Sequence, residues 1–224
     1  MKYILALITL AAVIIAGILY YDGSANISDS TPSATSTPQS SVPVDIIPDV
    51  PSVVYQNSTY HFSVAYPATG SILTGTDGNF AGFLPLTATP VIAFTLPASL
   101  FEGTNLGTAG VYIGATTSPV VVATCTSASK SMDETAASST TYGGATYNIF
   151  TSTGVGAGNI YDEKTFRTLR GGVCFEIVEM LHSGQIGNYT PGTTKEYDKP
   201  TFAGYLDGIV KTFMFVTAPT APTY

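Results

Sequence analysis

Side chains able to do chemistry are few in this chain. Among 224 residues it carries two cysteines, Cys125 and Cys174, and two histidines, His61 and His182. Their spacing forms no C-x-x-C or H-x-x-x-H pattern, so no metal site is expected. His182 ends an alternating run whose same-face neighbours are Cys174, Glu176, Val178 and Met180. A histidine and a carboxylate on one face could do acid–base work, but six residues of strand put Glu176 about 20 Å from His182. His182 therefore reads as a strand-end surface residue. Glu176 and Glu179 point to opposite faces and cannot act as a glycosidase pair. The run Gly154-Val155-Gly156-Ala157-Gly158-Asn159 breaks the dinucleotide-loop pattern at its last position, with no helix after it, and reads as a hairpin loop. Asp77 and Asp162-Glu163 lack the repeated oxygen-ligand spacing of a calcium loop. No G-x-S-x-G elbow occurs. The expectation is no catalytic residue and no cofactor. The runner-up is an envelope hydrolase assembled from distant positions such as His61, Glu176 and His182.

The cysteines invite a different reading. In an oxidising compartment an even pair forms a disulfide, and closing the 49-residue separation between Cys125 and Cys174 stabilises by about 4 kcal/mol in the chain-entropy model. A free nucleophile and two buried thiols are the rivals. Cys174 has no adjacent basic residue to favour a thiolate. Tyrosine is the other abundant functional type, at 14 residues against 11 Phe and no Trp. Tyr142, Tyr147, Tyr161, Tyr189, Tyr197 and Tyr205 could line a recognition surface, since tyrosine brings area and a hydroxyl at low entropy cost. Strand propensity explains them equally well.

The elements that must position these residues are mostly strands. Period-two alternation marks 60–66, 91–96, 110–114, 145–150 and 172–181. Asp77-Gly78 and Gly143-Gly144 supply turns that accept positive φ. One helix is expected near the end, where Phe202, Leu206, Ile209, Val210 and Phe213 share a helical face, with Thr201 as its N-cap. Phe213 to Val216 then reads as a last short strand. Ser118 to Ser127 fits a short helix, although Val120-Val121-Val122 argues equally for strand. The expected class is α+β, an antiparallel sheet with packed helices.

Organisation and charge frame this domain. Residues 1–22 hold Lys2 and an uncharged apolar run from Ile4 to Tyr21, roughly 27 Å as a helix and close to a bilayer's hydrocarbon thickness. An uncleaved anchor oriented N-in and C-out is favoured, and a signal cleaved near Gly23-Ser24-Ala25, giving a secreted protein, is the alternative. Residues 23–52 are rich in Ser, Thr and Pro and are expected as a disordered linker. Val44-Asp45-Ile46-Ile47 is its one apolar stretch. The folded domain is expected over 53–216, with a flexible tail at 217–224. Only 10% of the chain is charged and the net charge is −7, which leaves no basic stripe for nucleic acid. The implied partners are the membrane, through the N-terminal helix, and an envelope protein or other surface component.

Certain motifs resemble a known family. Tyr55-Gln56-Asn57-Ser58-Thr59-Tyr60-His61-Phe62-Ser63-Val64-Ala65-Tyr66-Pro67 is similar to the opening of many uncharacterised exported bacterial domains. Phe101-Glu102-Gly103-Thr104-Asn105-Leu106, Gly172-Val173-Cys174-Phe175-Glu176-Ile177 and Leu206-Asp207-Gly208-Ile209-Val210-Lys211-Thr212-Phe213-Met214-Phe215 are similar to later parts of the same domains. His61 stands where these domains usually carry Gly, and Met214 where they carry Lys. The resemblance implies the PsbP-like fold, a curved antiparallel sheet with helices packed on it, and an extracytoplasmic location. It implies no activity, and no photosystem role follows from it. The leading expectation is a membrane-tethered, non-catalytic binding domain. A small-ligand carrier using the concave sheet face is a third option.

Overall fold

The computed structural model describes residues 46–75, 80–86 and 88–216. The expected anchor at 1–22, the linker as far as residue 45, the Asp77-Gly78 turn and the tail at 217–224 lie outside the described residues. Within them the chain forms β1 (Ser52–Asn57), β2 (Phe62–Pro67), β3 (Ser71–Thr74), β4 (Thr89–Thr95), β5 (Leu106–Thr116), α1 (Pro119–Thr124), β6 (Thr135–Tyr142), β7 (Ala145–Gly156), β8 (Asn159–Arg170), β9 (Val173–Gly184), α2 (Lys199–Lys211) and β10 (Met214–Phe215). The expected α+β class is corrected to mostly β. Long alternating runs turn back on themselves as hairpins, and among the described residues only α2, at 13 residues, is a substantial helix.

Seven strands build one antiparallel sheet in the order β3-β4-β5-β9-β8-β7-β6, and β1-β2-β10 form a smaller one. The hairpins joining β6 to β9 turn at Gly143-Gly144, Ala157-Gly158 and Gly171-Gly172, each pair at positive φ, which matches the twist that two-residue hairpins require. Gly143 is needed on two counts. Its φ is +51°, and a Cβ there would lie 2.5 Å from the carbonyl oxygen of Phe213. The glycine loop after Gly154 is thus the β7–β8 hairpin, with Asn159 opposite Gly156.

Alternation sorts the long sheet into two faces. Val111, Ile113, Phe166, Phe175, Ile177 and Leu181 point inward and meet Phe202, Leu206, Ile209 and Val210, the buried stripe of α2. The small sheet closes this core, with Phe62 stacked on Phe213 at 4.8 Å and Tyr66 on Phe94 at 4.6 Å. Burial of such side chains, each worth about 1.5–3 kcal/mol, is the main driving force. On the outer face Phe80, Leu84 and Ala88 cover Tyr112, Val178 and Met180.

Local details refine the expected boundaries, caps and open alternatives. Ile46 and Ile47 are 6% and 2% exposed and Ile46 lies against Gly208 on α2, so packed chain begins before residue 53, and Ile46 and Ile47 of the expected linker belong to the core. The N-cap of α2 is Asp198 rather than Thr201. Its carboxylate accepts from the Thr201 N–H and hydroxyl, which places Pro200 inside the first turn, where its missing N–H costs nothing. Residues 119–124 resolve as helix with Pro119 leading. At the other end of α2, the Thr212 hydroxyl accepts from the Ala65 N–H, a β2 donor beyond the reach of the two-residue β10.

Candidate functional site

The outer face is held by a constellation around Arg167. Alternation on β8 sends Arg167 outward, where its side chain is 0% exposed. Its Nε donates to Glu176 Oε1 at 2.7 Å, its terminal nitrogens donate to Glu134 Oε1 at 2.5 Å and to the Ser127 carbonyl at 3.0 Å, and the guanidinium lies 4.8 Å over the Phe150 ring. The carboxylates are shared further. Glu134 also accepts from the Ser129 N–H, and Glu176 accepts from Leu86 N–H. Burial raises the Glu176 carboxyl above its ordinary value, against the pull of Arg167. Beside it, Cys125 and Cys174 form the disulfide, with Cα atoms 5.7 Å apart. Bridge and ion network together fasten α1 and the segment after it to β8 and β9. Glu176 is thereby a structural ligand of Arg167.

A second charged cluster lies on the inner face, where α2 crosses β8 and β9. Lys164 bonds Asp207 and lies 3.7 Å from Glu179 Oε2, while Lys199 pairs with Asp162 at 2.7 Å. Glu179 is 4% exposed and its Oε1 accepts from no donor among the described residues. Burial, then the negative charge of Asp207, raises its carboxyl well above the ordinary range. Lys164 thus lies between two carboxylates, bonded to Asp207 and 3.7 Å from the buried Glu179. Thr151, Thr153, Leu181, Ala203 and Leu206 complete a cleft of about 230 Å3 beside the pair. This falls below the roughly 300–1,000 Å3 of ordinary small-ligand sites.

Strand register decides where the remaining expected residues go. His182 pairs with Tyr161 across β8–β9, their rings stack at 4.5 Å, and His182 Nε2 is 3.0 Å from Asn159 Oδ1. Glu176 sits six residues down the same strand in the Arg167 network, and His61 sits at the β1–β2 turn. The hydrolase trio His61, Glu176 and His182 is not brought together. Of the tyrosines, Tyr161, Tyr189 and Tyr197 gather around the last residues of β9: Tyr189 covers Gly184, and the Tyr197 hydroxyl engages Ser183. Tyr142 and Tyr147 lie elsewhere, packed on each other, with Tyr147 1% exposed and edge-on to Phe213. Tyr205 packs on Phe202. Sequence reasoning missed Arg167, Glu134 and the Lys164–Glu179–Asp207 cluster. Thr165-Phe166-Arg167-Thr168 carries no local sign that its arginine is buried.

No protein-family model matches the chain, and no curated protein matches it. Among solved structures, similar shapes include a Bacteroides thetaiotaomicron VPI-5482 protein at 14% identity and a TM-score of 0.41, covering 73% of this chain and 48% of that one. The chain thus spans about half that protein's length. Cyanobacterial PsbP (CyanoP) from Synechocystis sp. PCC 6803 aligns at 9% identity and a TM-score of 0.43 over 72% of this chain and 91% of that one. LpqN, involved in cell envelope biogenesis of Mycobacterium tuberculosis, aligns at 10% identity and 0.42 over 75% and 86%. At these scores the likeness is one of partial shape, and no functional argument rests on it.

Proposed function

We propose that this chain is a membrane-tethered extracytoplasmic domain, of the PsbP-like kind its motifs resemble, acting as a non-catalytic module that binds an envelope protein or other surface component. The observation that carries the location is the buried Cys125–Cys174 bridge, which is a structural staple of the outer face and belongs to an oxidising compartment. The apolar run at 4–21 and the Ser/Thr/Pro-rich stretch after it support a tether. Support for binding comes from the end of β9, where Tyr161, Tyr189 and Tyr197 collect beside the partly exposed Ile186 and the exposed Val155 of the neighbouring hairpin. Aromatic side chains with a polar tip are favoured contact residues. The test is cross-linking in the native cells, then recovery of the tagged chain from detergent extracts and mass spectrometry. The reading expects one envelope component near stoichiometry, with cross-links concentrated at 155–197. Recovery of the chain alone, or in the soluble cytoplasmic fraction, contradicts it.

A further inference from the structure

We propose that a second cleft, at the Gly171-Gly172 end of the long sheet, binds a small organic anion: a carboxylate or phosphate ester carrying an apolar body. The cleft measures about 330 Å3 and is lined by Thr59, Tyr60, His61, Arg170, Phe175 and Phe215, with Gly171, Val173 and Val216 at its margins. That volume lies within the range of small-ligand sites.

Charge argues for the ligand's sign. The chain has a net charge of −7 and only two arginines. Arg167 is consumed by the buried network, whereas Arg170 is exposed and lies 4.3 Å over the face of Phe215. A stacked guanidinium keeps its edge N–H groups free, and that edge is the fork that fits a carboxylate or phosphate. His61 and two hydroxyl-bearing residues share the lining, and among the described residues no Asp or Glu does. In a chain with almost twice as many acids as bases, a cleft holding a guanidinium and an imidazole without a carboxylate is a local inversion of the protein's charge.

The floor argues for the apolar body. Phe175 meets Phe215 at 4.8 Å and Tyr60 at 5.9 Å, both edge-to-face, and Val173 and Val216 continue the same surface. An anion with an aromatic or alkyl body covers these rings while its charged end reaches Arg170.

Backbone geometry supplies an independent sign. His61 sits at φ +52°, a left-handed conformation that is strained for a residue with a side chain. Its carbonyl accepts from the Val216 N–H at 2.8 Å, so the turn is locked to the strand edge that frames the cleft. Glycine would hold this turn without strain. A strained imidazole lining the same cleft as Arg170, which forms no ion pair among the described residues, fits a binding role.

This inference goes beyond the tethered-module reading and does not depend on it. The test is isothermal titration of the full chain in neutral detergent with 4-phenylbutyrate, its neutral amide, and hexyl phosphate. The parent should bind both anions and bind the amide at least about tenfold more weakly, the loss of one charge-assisted contact. Arg170→Gln should weaken the anions about tenfold or more. His61→Gly should weaken them several-fold with the melting temperature unchanged or higher. Lys195→Gln, at an exposed lysine remote from the cleft, should bind as the parent does. Adding phosphatidylglycerol to the micelles separates the sources: competition with the soluble anions identifies a lipid headgroup, and lack of competition identifies a free metabolite-sized anion, either being consistent with the site. Equal binding of amide and anion, undiminished binding by Arg170→Gln, or no binding by the parent overturns the proposal.

Discussion

Replacing Arg167 by Met tests the account of the outer face. The side chain is fully buried and makes three hydrogen bonds, two of them to carboxylates whose side chains are themselves 0% exposed. Methionine fills much of the volume but leaves Glu134 and Glu176 buried without their cation. Breaking a buried pair from one side costs about 3–5 kcal/mol, and the Ser127 carbonyl loses its donor for about 1 kcal/mol more. The expected loss is therefore about 4–6 kcal/mol, a large part of the roughly 5–15 kcal/mol that holds a domain folded. The triple variant Arg167→Met, Glu134→Gln, Glu176→Gln removes the charge as well, and its amide oxygens still accept from Ser129 and Leu86. Its loss should fall to about 1–2 kcal/mol. Urea unfolding of the oxidised full chain in neutral detergent, followed by far-ultraviolet circular dichroism, measures both. A single-variant loss under about 1 kcal/mol, or equal losses for single and triple variants, would refute the reasoning.

Other outcomes follow from the same geometry. Removing the bridge with Cys125→Ser and Cys174→Ser should lower unfolding free energy by about 4 kcal/mol, given its 49-residue separation, and urea melts of the double variant against the oxidised parent check it. Glu179 has a folded-state pKa above its ordinary value of 4.5, so between that value and the folded one the native chain keeps a proton the unfolded chain releases. Stability then falls as pH rises through this window. Glu179→Gln should be more stable than the parent at neutral pH and show a shallower fall in melting temperature from pH 4.5 upward; an unchanged slope would count against a raised Glu179 carboxyl. Gly114→Val should destabilise by about 1–3 kcal/mol, because even a Cβ there would lie 2.6 Å from Leu84 Cδ1 and 2.9 Å from the Ala88 Cβ; a neutral effect in thermal melts would mean that 80–88 does not cover this face.

Local periodicity made the strands, the α2 stripe and the Gly143-Gly144 turn legible, because each depends on neighbours a few residues away. The cysteine pair was legible from chemistry alone. What escaped was whatever depends on register between distant segments. Arg167 alternates along β8 as any surface arginine would, and only the pairing of Arg167 with Glu176, together with the fold-over of 125–134, turns it into a buried hub. Lys164, Glu179 and Asp207 come from two strands and a helix, so their meeting waits on where α2 lands. The fold class was legible in part: the antiparallel sheet with a helix packed on it was visible, but the sequence does not show how few of the described residues outside α2 are helical once β6 to β9 extend to 8–12 residues each. The six tyrosines illustrate the same limit, since strand propensity and surface recognition ask for the same residue until burial separates Tyr147 from Tyr189.

The redox state of Cys125 and Cys174 in living cells tests the central claim most directly. Intact cells are quenched in acid, and the extracted chain is treated with a maleimide–polyethylene glycol reagent before and after reduction, then separated by size. An extracytoplasmic domain held by this bridge takes no label before reduction and two labels after it. Two labels without reduction would place the thiols in a reducing compartment and contradict the account.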